Sequence, residues 1–142
     1  MSSGEHNLAV LLATMKPTLD PEVYVFINTQ QPLSSLPLET IKPQLIVQEA
    51  EGTTIVTTEA IAAAHSFEEV VFPCRKISLT IHSSLEAVGL IAAITNRLKD
   101  YSISTNVVSG FFHDHIYVPA GRADDAMLVL ERISVEANKS SE

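Results

Sequence analysis

At Ser83 the hydrophobic period of the chain changes from two to between three and four, and that switch fixes most of what the C-terminal half can become. Upstream, Ile77, Leu79 and Ile81 alternate with Ser78, Thr80 and His82, the pattern of a strand with one buried face. Downstream, Leu85, Val88, Ile91, Ala92, Thr95 and Leu98 recur at helical spacing. Between them, Ser83-Ser84-Leu85-Glu86 has the form of a capping box, with Ser83 at the N-cap and Glu86 reaching back from the first turn. A strand therefore leads into a helix expected from Leu85 to Leu98, ending near Tyr101.

The same reading continues to the C-terminus. Ile103 to Ser109 is rich in β-branched residues and closes at Gly110, so it reads as a second strand. His113 to Val118 reads as a third, with Asp114, Ile116 and Val118 on one face and His113, His115 and Tyr117 on the other. Pro119 to Gly121 break the pattern, Asp124 and Asp125 suit the first turn of a helix, and Ala123, Ala126, Met127, Leu130 and Ile133 form its apolar stripe. The order is β-α-β-β-α. Two helices on three strands leave apolar surface uncovered, and the polar residues 136–142 read as a flexible tail rather than a fourth strand. The missing strand must come from elsewhere, and the surplus apolar run Leu8 to Met15 (LAVLLATM) is expected to supply it.

The N-terminal half repeats this order in a shorter form. Pro17 to Pro21 reads as a turn, Glu22 to Asn28 as a strand, and the proline-rich stretch Gln30 to Pro43 as a loop with a short helix near Leu38 to Ile41. Gln44 to Ala50 and Thr53 to Thr57 form a hairpin about Glu51-Gly52, and Thr58 to His65 is a short helix. Val70 to Phe72 make a last strand that stops at Pro73. The division expected is thus a unit over 1–72, a second over 73–135 and a tail over 136–142.

Composition narrows the function. With hydrophobic residues at 46% and charged ones at 18%, the chain has the balance of an ordinary globular protein. Nine cations against seventeen acids give a formal net charge of −8, and only Arg75 and Lys76 among the cations are adjacent, so there is no basic footprint for nucleic acid. No apolar run approaches the roughly 18 residues of a membrane helix. One cysteine, Cys74, and a start without the cationic character of a secretory signal point to the cytoplasm. No nucleophile elbow, phosphate-binding glycine loop or H-E-x-x-H helix is present, so no catalytic residue is assigned and no enzyme is expected.

Two places carry binding chemistry. At the junction His82 to Gly89, the first turn of a helix offers backbone N–H groups and positive potential suited to a carboxylate, and Gly89 leaves room for a ligand to approach. Asn106 brings an amide to the neighbouring strand, where it can accept from an ammonium and donate to a carboxylate. The structural alternatives are a junction already capped by Ser83 and Glu86, and an asparagine at a bulge or edge. His113 and His115 form a His-x-His pair to which His82 is the candidate third ligand, which keeps a metal-binding protein or enzyme as the alternative. His113, His115, Tyr117 and Phe111 otherwise read as contact surface on the face away from the helices.

Two such β-α-β-β-α-β units in tandem resemble ACT domains. The likeness is carried by His82-Ser83-Ser84-Leu85-Glu86-Ala87-Val88-Gly89-Leu90, the segment Tyr101 to Asn106, His113-Asp114-His115-Ile116 and the helix opened by Asp124 and Asp125. It is similar to the regulatory ACT domains of aspartate kinases and closer still to a family of small tandem-ACT proteins, which the first half matches through TMKPTLDPEVYVF and EGTTIVTTEAIAAAH. The resemblance implies an α+β fold of two ferredoxin-like units with antiparallel sheets and helices on one face. It further implies regulatory binding of an amino acid, without a cofactor, at an interface between ACT units of a homo-oligomer. On that basis the ligand-contacting residues are His82, Ser83, Ser84, Leu85, Val88 and Gly89 of one unit with Ser104, Thr105 and Asn106 of another; a ligand-free oligomerisation module is the remaining alternative.

Overall fold

The computed structural model describes residues 7–80 and 89–140. In chain order these form α1 (Leu8–Thr14), β1 (Pro17–Thr29), a 3-10 turn, α2 (Leu38–Ile41), β2 (Leu45–Glu49), β3 (Gly52–Thr58), α3 (Glu59–Ala64), β4 (Glu69–Leu79), α4 (Leu90–Asp100), β5 (Asn106–Ser109), β6 (Asp114–Pro119), a second 3-10 turn and α5 (Ala123–Ser140). The fold is α+β and consists of two ferredoxin-like units in tandem. Contacts divide the chain into a larger unit of Met1–Pro21 with Arg75–Glu142, and a smaller unit of Glu22–Cys74.

By contacts the first 21 residues group with the C-terminal half, across the expected boundary at 72/73. The larger unit does take its fourth strand from the N-terminus, but not from Leu8 to Met15. That segment is α1. The Asn7 side-chain oxygen caps it by accepting from the Ala9 and Val10 N–H groups at 3.0 and 3.3 Å. Leu11 and Met15 are buried one turn apart while Val10 is 42% exposed, a helical rather than an alternating pattern. The strand is instead Pro17 to Pro21, expected as a turn, which opens β1. Two prolines are tolerated there because the pairing of β1 with β3 starts only at Tyr24, so on that side the N–H groups of residues 17–21 need no strand partner.

The core of the larger unit joins Ile77 and Leu79 of β4, Ile116 and Val118 of β6, Leu90, Ile94 and Leu98 of α4, Leu130 and Ile133 of α5, and Leu11 and Met15. Residues 136–140 continue α5 rather than fraying as a tail. Their partner is α1: Ser134 Oγ donates to the carbonyls of Leu12 and Met15 at 2.9 Å, and Asn138 Nδ2 to that of Ala13 at 2.9 Å. The expected strand from Ile103 is shorter and begins at Asn106. The expected start of the preceding helix at Leu85 lies outside the described residues; the described helix begins at Leu90, directly after Gly89 at φ +95°.

In the smaller unit the order is β2-β3-β1-β4. Val25, Ile27 and Ile55 pack with Leu36, Ile41 and Ala62 of the short helical segments. The hairpin pairs Glu49 with Gly52, so its two-residue turn is Ala50-Glu51, one residue earlier than expected. Gly52 lies in the strand because a Cβ there would collide with Asn28 Oδ1. Pro73 does not stop the last strand: β4 runs through it, directly after Phe72 at φ +58°, a left-handed residue of the kind bulges use.

Candidate functional site

The strand-to-helix junction of the larger unit starts where β4 ends. Thr80 is held there by its N–H and its hydroxyl, which donate to the Lys16 carbonyl at 3.0 and 2.6 Å. Gly89 opens α4, and a Cβ on it would stand 3.4 Å from Leu8 Cδ2, so α1 walls one side of this end of the helix. Among the described residues no side chain caps α4, and its first turn contains no acid, while Arg97 and Lys99 occupy the last. The first N–H groups of a helix carry a partial positive charge that suits an acceptor. His82, Ser83, Ser84, Leu85 and Val88, together with the capping box, lie outside the described residues.

Ser104, Thr105 and Asn106 sit elsewhere. Ser104 is exposed, Thr105 Oγ1 donates to the Ile103 carbonyl at 3.2 Å, and Asn106 is an exposed residue opposite Tyr117 at the start of β5. They follow the C-terminal end of α4, and the eleven residues of that helix span about 16 Å. Gly89 and Asn106 of one chain are thus at opposite ends of α4, with Asn106 on the edge strand of the sheet.

His115 takes a structural place. His115 Nδ1 lies 2.7 Å from Ser78 Oγ across the β4–β6 pair. Its pKa is lowered, first because burial strips water from the imidazolium and then because Lys76 and His113 repel a proton, although Asp114 opposes them. Among the described residues no three His, Cys, Asp or Glu side chains gather as a metal site would require. Phe111 and Phe112 are exposed, in a T-shaped pair 4.9 Å apart, whereas Tyr117 is only 2% exposed and drops out of the expected surface patch. Burial pushes the Cys74 thiol up to about 12, which leaves it unreactive at neutral pH.

The smaller unit contains a pocket that sequence reasoning missed. It has a volume of about 300 Å3 and lies where β1 gives way to the loop before α2, beside the α3–β4 connection. Asn28, Gln30, Gln31, His65, Glu68 and Glu69 contribute to its lining. Asn28 Nδ2 donates to Glu69 Oε2 at 3.3 Å, Gln30 Nε2 donates to the Glu51 carbonyl at 2.6 Å, and the His65 ring stacks on Phe67. The only sequence signal was Glu68-Glu69, which alone reads as solvated surface.

A model of the ACT domain family matches residues 3–75, and a second ACT domain model matches residues 70–132. A Vibrio cholerae protein of unknown function, described as a possible transport protein, is 35% identical over 89% of this chain and 95% of its own, with a TM-score of 0.80. An Agrobacterium tumefaciens protein shares the fold at 15% identity and a TM-score of 0.68, over 84% of this chain and 89% of its own. So does the ligand-free regulatory subunit of aspartate kinase from Thermus thermophilus, at 11% identity and a TM-score of 0.63, over 86% and 97%. No curated protein matches the sequence. Among the described residues no helix is long and apolar enough to cross a membrane.

Proposed function

The chain belongs to the ACT domain family, and from that premise we propose that it is a non-catalytic regulatory module whose ligand is an amino acid, bound without a cofactor between two copies of the chain. The carboxylate is received at the start of α4 by the segment that includes His82, Ser83, Ser84, Leu85, Val88 and Gly89. The ammonium is received by Ser104, Thr105 and Asn106 at the β5 edge of the second copy. The observation that carries this reading is the left-handed Gly89 at the opening of α4, with Leu8 as the neighbouring wall. The separation of Gly89 from Asn106 along α4 is why two copies are needed. Binding then shifts the assembly, which is how a module without chemistry of its own acts on a partner. The lone buried thiol suits a reducing compartment, and we place the protein in the cytoplasm.

Calorimetric titration with the common amino acids tests this. Heat from one or a few of them is expected, abolished in Gly89→Leu and weakened by about 1–3 kcal/mol in Asn106→Ala. The absence of heat with every amino acid sinks the reading, and unchanged affinity in both folded variants moves the ligand elsewhere.

A further inference from the structure

Charge is shared unequally between the two units. The smaller unit, Glu22–Cys74, holds seven glutamates against a single cation, Lys42, whereas the rest of the chain sets ten acids against eight cations. The field of the smaller unit therefore favours cations. Its pocket of about 300 Å3 gathers that charge: Glu68 and Glu69 contribute to the lining, and no lysine or arginine does. Among the described residues neither glutamate pairs with a lysine or an arginine. The amides beside them are held in place. Asn28 Nδ2 donates to Glu69 Oε2 at 3.3 Å and Gln30 Nε2 to the Glu51 carbonyl at 2.6 Å, so each uses a donor on the protein and keeps an oxygen that accepts. Gly52 makes room for both, since a Cβ there would collide with Asn28 Oδ1 and stand 2.8 Å from Gln30 Nε2. Phe67 adds an aromatic ring to the wall, with its centroid 6.1 Å from that of His65.

We propose that this pocket binds a small organic amine that carries no carboxylate. Carboxylates, amide oxygens and an aromatic ring are the groups that receive an ammonium. A carboxylate on the ligand would instead face Glu68 and Glu69 with no guanidinium or ammonium beside it, which separates this ligand from the amino acid proposed for the opening of α4. The volume is at the low end for a ligand cavity and restricts the occupant to a small molecule. The ammonium pairs with Glu69, whose position Asn28 sets, and a second cationic group on the ligand pairs with Glu68, with the carbon chain between them against Phe67. Both glutamates are exposed, so the binding is weak and falls as salt rises.

Titration of the full chain with 1,4-diaminobutane at about 150 mM sodium chloride, followed by backbone amide chemical shifts, tests the proposal. Saturable shifts are expected at residues 28–31 and 65–69. Glu69→Gln, which can still accept from Asn28, should raise the dissociation constant about fivefold, while Glu59→Gln should change it less than about twofold. The second variant removes the same charge from an exposed position on α3 outside the lining. 4-Aminobutanoate, which has a carboxylate where the diamine has its second ammonium, should bind at least tenfold more weakly. Unchanged circular dichroism and melting establish that the variants fold. Shifts that fail to saturate by about 10 mM diamine overturn the proposal, as do shifts that saturate elsewhere in the chain. Equal losses in Glu59→Gln and Glu69→Gln overturn it too, because they mark attraction to the charge of the whole unit, and equal binding of the two ligands overturns the exclusion of a carboxylate. None of these outcomes depends on the amino acid at α4, which is judged by its own titration.

Discussion

The two units share one strand order and differ in how the chain supplies it and in what covers their sheets. The smaller runs strand, helix, strand, strand, helix, strand, whereas the larger ends on a helix and takes its remaining strand from the N-terminus; α2 and α3 have four and six residues whereas α4 and α5 have eleven and eighteen. The larger unit also adds α1, against which the end of α5 is bonded. The cores differ in kind as well as size. The buried polar residues among those described, Thr29, Thr53 and Thr57, all belong to the smaller unit, and Thr57 Oγ1 donates to the Ile41 carbonyl at 2.6 Å. Where helices are too short to bury much apolar area, a satisfied hydroxyl fixes the helical segment to the sheet, at little cost because its partner is present. Strand order is therefore what the fold retains, and the helical layer is what varies.

The largest expected effect comes from removing what the N-terminus contributes to the larger unit. A fragment of residues 73–142 lacks α1 and the edge segment of β1, and it should aggregate or unfold without a cooperative transition in urea, because its sheet edge and α5 are uncovered. A soluble fragment that melts cooperatively would break the assignment of residues 1–21 to this unit. Next in size, Leu11→Ala should cost about 3 kcal/mol by denaturant unfolding, since Leu11 is fully buried in α1, while Val10→Ala should stay within about 0.5 kcal/mol. Equal effects at the two positions would contradict the helical face.

The smallest effect is a pH dependence confined to the larger unit. The folded-state pKa of His115 lies below the usual histidine value of about 6.5, so folding favours the neutral ring. The unfolded chain then binds more protons, and stability is full above that pH and declines as pH falls below it. Between about pH 7.5 and pH 5.5 the urea midpoint should fall more for the parent protein than for His115→Asn. An identical fall in both would assign the dependence to other groups.

Much of this was legible from the sequence where a period persists. Residues 77–79, the later turns of α4 and the stripe of α5 each show matched positions, and all formed as expected. The run Leu8 to Met15 has no period to distinguish helix from strand, and only the bonds from Ser134 and Asn138, more than a hundred residues away, reveal what it packs on. Pro17, Pro21 and Pro73 looked like punctuation because edge position and the left-handed Phe72 are tertiary facts. The pocket of the smaller unit was hidden for the same reason: Asn28 and Glu69 stand 41 residues apart and meet only through strand pairing. Gly89 was identified as an opening for a ligand, but its separation from Asn106 along α4 required the structure.

The contrast between units also decides the central functional claim, since each has its own strand-to-helix junction and only one is proposed to hold the amino acid. Amide hydrogen exchange of the full chain, with and without each of the common amino acids, distinguishes them most directly. The account predicts that an amino acid which binds slows exchange at the first turns of α4, from residue 89 to residue 93, and at residues 104–106. Protection confined to residues 28–31 and 65–69, around the pocket of the smaller unit, or no protection with any amino acid, would contradict it.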